Sequence, residues 1–348
     1  MTTYENYLTA LPPDIICCVT QFLPFEDAKT LASVLPGVKA RVRAAPRPFL
    51  PARHIRLTEQ IFSNSGDDSL LEWIVPLCRM GTDVDYKDFY GYTALILAAR
   101  RGRDSWMRQL IAAGANVNAA DRTRNTALMR AAENGSESCV RQLIAAGADI
   151  NAVNEWKGTA LIAAAENGHD LCVQLLLEAG ANINAANHNR NTALAKASRY
   201  GHHLCVQKLL AAGANVCDVN RLGETALIRG SRYGHPMCVS QLIAAGADVN
   251  ATNYIGITAL MLAAAAGSDS CVCQLIAASA NVNAGNDWND TALIRAAYHG
   301  HELCLWRLIV AGANVNVVND HGVTAILLAT RWGRGWCPTL LRNAGARD

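Results

Sequence analysis

The sequence predicts an all-α solenoid, a stack of similar helix–turn–helix–hairpin units, and three observations carry that expectation. Threonines Thr93, Thr126, Thr159, Thr192, Thr225, Thr258, Thr291 and Thr324 recur every 33 residues. Around each of them a TAL-type run, a glycine near mid-unit and a closing LIAAGA-type run keep one register. A period of this length marks units that bury their faces on one another instead of around a single closed core.

The unit 121–153 justifies its elements in order. Thr126 suits a helix cap, and Ala127 behind it is the best helix former. Leu128, Ala131 and Ala132 fall at helical spacing and give a narrow apolar face, while Arg130, Glu133 and Asn134 point away from it. Gly135 breaks the chain. A second helix carries Cys139, Val140, Leu143 and Ile144 on one stripe and stops near Gly147, which suits a left-handed C-cap. Ala148 to Asn151 is expected to be extended and to lead into a polar turn at Asn154.

These TAL, mid-unit Gly, LI-x-AGA and VNA motifs, in register from about Leu70 onward, resemble the ankyrin repeat. The resemblance implies a solenoid over 70–348, with a partial repeat at 70–87 and repeats starting at 88, 121, 154, 187, 220, 253, 286 and 319. Where that family usually has Pro and His after the threonine, this chain has Ala and an apolar residue, as in Ala94-Leu95 and Ala259-Leu260. Apolar packing is expected to replace the loop-to-helix hydrogen bond that the histidine would make. At the far end Arg342 stands where Ile309 stands one repeat earlier, as a capping unit with one solvated face requires. Two units carry local weaknesses. Gly230 replaces a usual Ala inside a helix, costing about 0.8–1 kcal/mol. Ser279 replaces a capping Gly, costing about 1–2 kcal/mol if the left-handed conformation is kept.

Residues 1–45 lie outside the repeat. Leu11-Pro12-Pro13-Asp14-Ile15, then Phe22-Leu23-Pro24-Phe25-Glu26-Asp27, then Leu31-Ala32-Ser33-Val34 predict three short helices punctuated by prolines and acids. In that order the segments resemble an F-box. The resemblance implies docking to a Skp-type adaptor of a cullin–RING ubiquitin ligase through Leu11, Pro12, Asp14, Ile15, Phe22, Leu23, Pro24, Asp27, Leu31 and Val34. Pro36-Gly37 falls where the family's third helix generally continues, and the tryptophan often found shortly after is absent. The competing expectation is a helical cap on the solenoid. Residues 46–69 read as a linker and degenerate cap, continuing a basic stretch from Val38 that contains Pro46, Pro48 and Pro51.

Composition narrows the function classes. Lys+Arg 31 against Asp+Glu 29 gives a net charge of +2, so nothing global draws this chain to nucleic acid or membrane. No apolar run reaches the ~18–20 residues of a membrane helix, and MTTYENYLTA lacks the basic-then-apolar order of a secretory signal. Seven of the 12 cysteines, Cys139, Cys172, Cys205, Cys238, Cys271, Cys304 and Cys337, share one register. Neighbouring helices pack about 8–10 Å apart, beyond disulfide reach, so a reduced ladder in a eukaryotic cytosol, with the nucleus as an alternative, is expected. His169/Cys172, His202/Cys205, His235/Cys238 and His301/Cys304 stand one helical turn apart. Each repeat then offers only two ligands, so these pairs read as structural, with no metal, no cofactor and no catalytic residues expected.

The informative residues stand four, seven and eight places after each threonine. They are expected to face away from the core, and the ankyrin resemblance places them on the concave binding surface. Lys196, Arg199, Tyr200, Arg229, Arg232 and Tyr233 bring four cations and two tyrosines together, and Arg295, Tyr298, Arg331 and Trp332 continue the pattern. Arg beside Tyr or Trp is the composition of binding hot spots. Trp156, Tyr254 and Trp288 at the hairpin tips add aromatics that a polar turn does not need. The expected partner is an acidic or phosphorylated protein with an apolar anchor over the sixth repeat. Asn118, Asn151, Asn184, Asn250, Asn283 and Asn316 match positions that hydroxylases modify in some ankyrin proteins, beside a local role in shaping the hairpin.

Together these readings predict a non-catalytic substrate receptor of an SCF-type ligase, like F-box and ankyrin proteins of eukaryotes or effectors that intracellular bacteria deliver into host cells. The alternatives are an ankyrin scaffold or inhibitor without a ligase link, and a nucleic-acid reader that uses the basic groove.

Overall fold

The computed structural model describes residues 83–347. The F-box-like module 1–45, the linker 46–69 and most of the half-repeat 70–87 lie outside the described residues. The described residues fall into two compact units, one of 83–94 with 109–115 and the other of 95–108 with 116–347. Among them are sixteen α-helices and no strand.

Eight helix pairs follow one another. They are α1 (Ala94–Arg100) with α2 (Asp104–Ala112), α3 (Ala127–Asn134) with α4 (Glu137–Ala145), and α5 (Ala160–Glu166) with α6 (Asp170–Glu178). Next come α7 (Ala193–Tyr200) with α8 (His203–Ala211), and α9 (Ala226–Arg232) with α10 (Pro236–Ala244). The last are α11 (Ala259–Ala266) with α12 (Asp269–Ala277), α13 (Ala292–His299) with α14 (Glu302–Val310), and α15 (Ala325–Arg331) with α16 (Cys337–Asn343). Helices this short are marginal alone in water, so their stability comes from packing. From α3 onward each first helix packs on the next first helix, and each second helix on the next second helix.

The threonine cap forms in every repeat from the second to the eighth. Thr126 Oγ1 accepts from the amide of Met129, and Thr159, Thr192, Thr225, Thr258, Thr291 and Thr324 each accept from the amide three residues on. Behind the cap Leu128, Ala131, Ala132, Cys139, Val140 and Leu143 are buried, and their counterparts repeat along the stack. The small alanines let the first helices approach closely, which explains the narrow face. The seven ladder cysteines are all buried and unpaired. Burial pushes their thiols up, to about 11 for Cys172, Cys238 and Cys304 and about 12 for Cys205.

One local expectation is corrected. Ala148 to Asn151 is not extended throughout, because Asp149 Oδ1 accepts from the Asn151 amide and the Ala152 amide donates to the Asp149 carbonyl, closing a turn. Both weak points keep the geometry of their register. Ser279 holds the left-handed conformation at φ 67°, and Gly230 lies within α9.

Hydrogen bonds tie each repeat to the next. Asn118, Asn151, Asn184, Asn250, Asn283 and Asn316 each accept, through Oδ1, the backbone amide 31 residues on. Within each hairpin an Asx side chain accepts two amides, as Asn154 does from Trp156 and Gly158. Successive tips are joined as well, with the His188 amide donating to Trp156 O and the Tyr254 amide to Leu222 O. The histidines of the His/Cys pairs reach backwards. His169, His202, His235 and His301 each donate from Nε2 to a carbonyl of the preceding repeat, those of Glu133, Glu166, Arg199 and Ala265. Their rings lie where a side chain on Gly135, Gly168, Gly201 or Gly267 would stand, so glycine is needed there for space as well as for its positive φ.

Candidate binding face

The first helices present their fourth, seventh and eighth positions after the threonine as a row, and the structure sorts that row into residues that are free and residues that are engaged. The expectation that all of them face away from the core is corrected at Leu97, Arg229 and Leu262, which are buried. For the two leucines the reason is packing of an apolar side chain. Arg229, only 5 % exposed, lies against Glu224, itself 3 % exposed, at 3.8 Å, and donates from Nη1 to Asn191 Oδ1 at 2.8 Å. Burial lowers its pKa, Glu224 offsets part of that, and Arg199 nearby adds to it. A cation so held braces two repeats.

Most other cations of the row also have a carboxylate. Arg232 pairs with Glu224 from the opposite side, and Asn220 Nδ2 donates to the same carboxylate at 3.2 Å. Lys196 Nζ lies 2.6 Å from Glu166, and Arg295 lies 3.7 Å from Asp290. Arg130 reaches both Asp121 and Glu133 at 2.9 Å. Burial alone would raise the Asp121 carboxyl, but hydrogen bonds from Arg130, the Asn125 amide and Thr123 hold it below the usual value.

Arg199 differs. It forms no ion pair with any described residue, and its guanidinium carbon stands 5.2 Å from the Tyr200 ring centre and 5.3 Å from that of Tyr233. Both rings are exposed. Each stacks on a bridging histidine, Tyr200 on His202 at 6.2 Å and Tyr233 on His235 at 6.5 Å, so the tyrosines are held in place from below. Lys196 approaches Tyr200 at 5.9 Å. Further along, Tyr298 and Trp332 meet edge to face at 6.1 Å, both exposed, with Arg331 exposed beside them. Trp156, Tyr254 and Trp288 are exposed on the hairpin tips, at 55 %, 66 % and 42 %. The ten F-box-like positions from Leu11 to Val34 lie outside the described residues.

Sequence reasoning missed the acidic partners, and a signal for them exists. In four repeats the residue before the threonine matches in kind the one four places after it. Glu224 goes with Arg229 and Asp290 with Arg295, whereas Ile257 goes with Leu262 and Val323 with Leu328. The charged pairs match because they approach each other, to 3.8 Å in one repeat and 3.7 Å in the other. It also missed a second exposed row at the starts of the second helices, Leu171, Leu204, Met237 and Leu303 within them and Trp336 just before α16, again 33 or 66 residues apart.

A family model described as ankyrin repeats (3 copies) matches residues 60–154, 131–220, 161–253, 217–286 and 260–347. The chain belongs to the ankyrin-repeat family. Among solved structures, the ankyrin repeat domain of human ASB11 is similar, with 29 % identity, a TM-score of 0.58, and coverage of 62 % of this chain and 98 % of that one. No curated protein sequence matches the chain. The ankyrin array is accordingly a protein-interaction domain, and among the described residues no helix is long and apolar enough to cross a membrane.

Proposed function

We propose that this chain is a non-catalytic substrate receptor of a cullin–RING ubiquitin ligase of the SCF type. The ankyrin array holds an acidic or phosphorylated target protein on its first-helix face, and residues 1–45 hold a Skp-type adaptor. The observation that supports the array's part is the Arg199 guanidinium between the exposed rings of Tyr200 and Tyr233. Planar groups ordered before binding lose little entropy when a partner arrives. The adaptor part is supported by the order of Leu11-Pro12-x-Asp14, Phe22-Leu23-Pro24 and Leu31-x-x-Val34 in the sequence. The mechanism is proximity, since a receptor that grips both ends raises the concentration of target lysines near the charged E2 enzyme. Such work places the chain in the cytosol or nucleus of a eukaryotic cell, including a host cell if the chain is a bacterial effector.

The nucleic-acid reading is less well supported. Tracking a phosphate backbone takes a row of free cations, and Arg130, Lys196, Arg229, Arg232 and Arg295 all sit on carboxylates. The deciding experiment is size-exclusion co-elution of the full chain with a recombinant Skp-type adaptor, beside a Leu11→Ala/Pro12→Ala/Leu23→Ala variant. A complex that forms with the parent chain and disappears in the variant is expected. A folded parent chain that does not co-elute sinks the ligase role and leaves residues 1–45 as a cap.

A further inference from the structure

The array's first-helix face has six cations between α3 and α13, and five of them already hold a carboxylate. Arg199 is the exception among the described residues, and its position fixes what it can take. The guanidinium carbon lies over two tyrosine rings, 5.2 Å and 5.3 Å from their centres, and no carboxylate among the described residues takes its N–H donors. An in-plane fork matches the two oxygens of a carboxylate, which is planar as well. Charge agrees with a single anion as the guest. Arg229 and Arg232 share the one carboxylate of Glu224, which leaves the Arg199 neighbourhood electropositive, and Arg199 is close enough to lower the pKa of Arg229.

Two helix steps, α7 to α9 and α9 to α11, separate the helix of Arg199 from the least polar stretch of the face. On α11 the corresponding positions are Leu262, which is buried, and Ala265 and Ala266, which reach the surface; none is charged, and α11 packs directly on α9. Helix neighbours lie about 8–10 Å apart, so the two steps amount to about 16–20 Å, which an extended chain covers in about five or six residues. We infer that Arg199, flanked by Tyr200 and Tyr233, is the anion anchor of this face, and that its partner is a linear protein segment with an Asp or Glu about five or six residues from an apolar side chain that settles on α11. The inference rests on the reading that this face binds a protein segment, and it names which segment.

The test is selection of a random dodecapeptide phage library on the full chain, with measurement of the recovered peptides against the parent chain and Arg199→Gln. Recovered peptides are expected to carry an acidic residue about four to seven places from an apolar one. Their affinity should fall about tenfold in Arg199→Gln, and by as much when the peptide's acid is changed to its amide. Arg199→Lys, which keeps the charge and loses the planar fork, should recover only part of that loss. Peptides without an acid, or equal binding to Arg199→Gln, overturn the inference while leaving the face as a binding surface. Recovery of no peptide overturns the inference and the peptide-binding face together. Replacing the acid by phosphoserine distinguishes the anion, and a gain of more than tenfold overturns the carboxylate assignment. The adaptor experiment is independent of all these outcomes, so failure here and failure of the ligase role are separable.

Discussion

Arg229 and Arg199 are arginines of successive first helices, at the fourth and the seventh place after their threonines, and the environment gives them opposite roles. A buried arginine without an anion carries a large desolvation penalty, so Glu224 and Asn191 accompany Arg229, and nothing comparable is needed at half-exposed Arg199. Gly230 beside it is a position where the residue itself limits stability. A Cβ there would meet Val239 Cγ2 at 3.6 Å and Ser198 O at 3.7 Å, ordinary contact distances, so Gly230→Ala should stabilise the chain by about 1 kcal/mol. Ser279→Gly should add about 1 kcal/mol by relieving the left-handed serine at φ 67°. Urea midpoints for the two variants check this, and a fall in either midpoint would refute the corresponding account.

The histidine bridges operate between elements. The Nε2–H of His202, at the start of α8, spans to the carbonyl of Glu166 at the end of α5, and its ring has His169 and His235 as neighbours in the adjoining repeats. Burial, countered in part by that hydrogen bond, and the two like-charged neighbours lower its pKa from 6.5. A histidine with a depressed folded-state pKa binds protons more readily when unfolded. The stability it contributes is therefore present above about pH 6.5 and is lost as pH falls through the lower folded value. His202→Gln should lower stability at pH 7.5 and flatten its decline between pH 7 and pH 5, read from urea unfolding at each pH. An unchanged slope would exclude His202 as a contributor. The element pattern was largely legible in the sequence: Thr126 caps α3, Gly135 ends it, and Cys139, Val140 and Leu143 face inward as the spacing implies. The backward reach of the histidines was not, because their acceptors lie 36 residues away on another repeat.

Along the larger unit, residues 95–108 and 116–347, order is maintained by repetition instead of by one core. Solenoid stability is a sum of neighbour terms, and the cysteine ladder provides a probe in each repeat. Thiolate is the reactive form, so thiols pushed up to about 11 or 12 by burial should resist alkylation until their repeats open. Cys217 is exposed, at the register the bridging asparagines occupy elsewhere. A short iodoacetamide pulse at pH 8 followed by peptide mapping should label Cys217 in the native chain, and the seven ladder cysteines only in urea. Native labelling of the ladder at the rate of Cys217 would contradict a closed stack.

What the sequence by itself determined is the repeat, because a 33-residue period with threonine, glycine and apolar residues in register encodes contacts that each unit makes in the same way with its neighbours. It also determined the reduced ladder, since the spacing of packed helices forbids disulfides between successive units. What only the tertiary structure decided is which charges on the face are available. A cation's freedom depends on whether a carboxylate or amide is brought beside it by another turn or another repeat, as Asn191 is to Arg229 across 38 residues and Glu166 is to Lys196 across 30. Among the described residues Arg199 has no such neighbour, and no local pattern of residues states that.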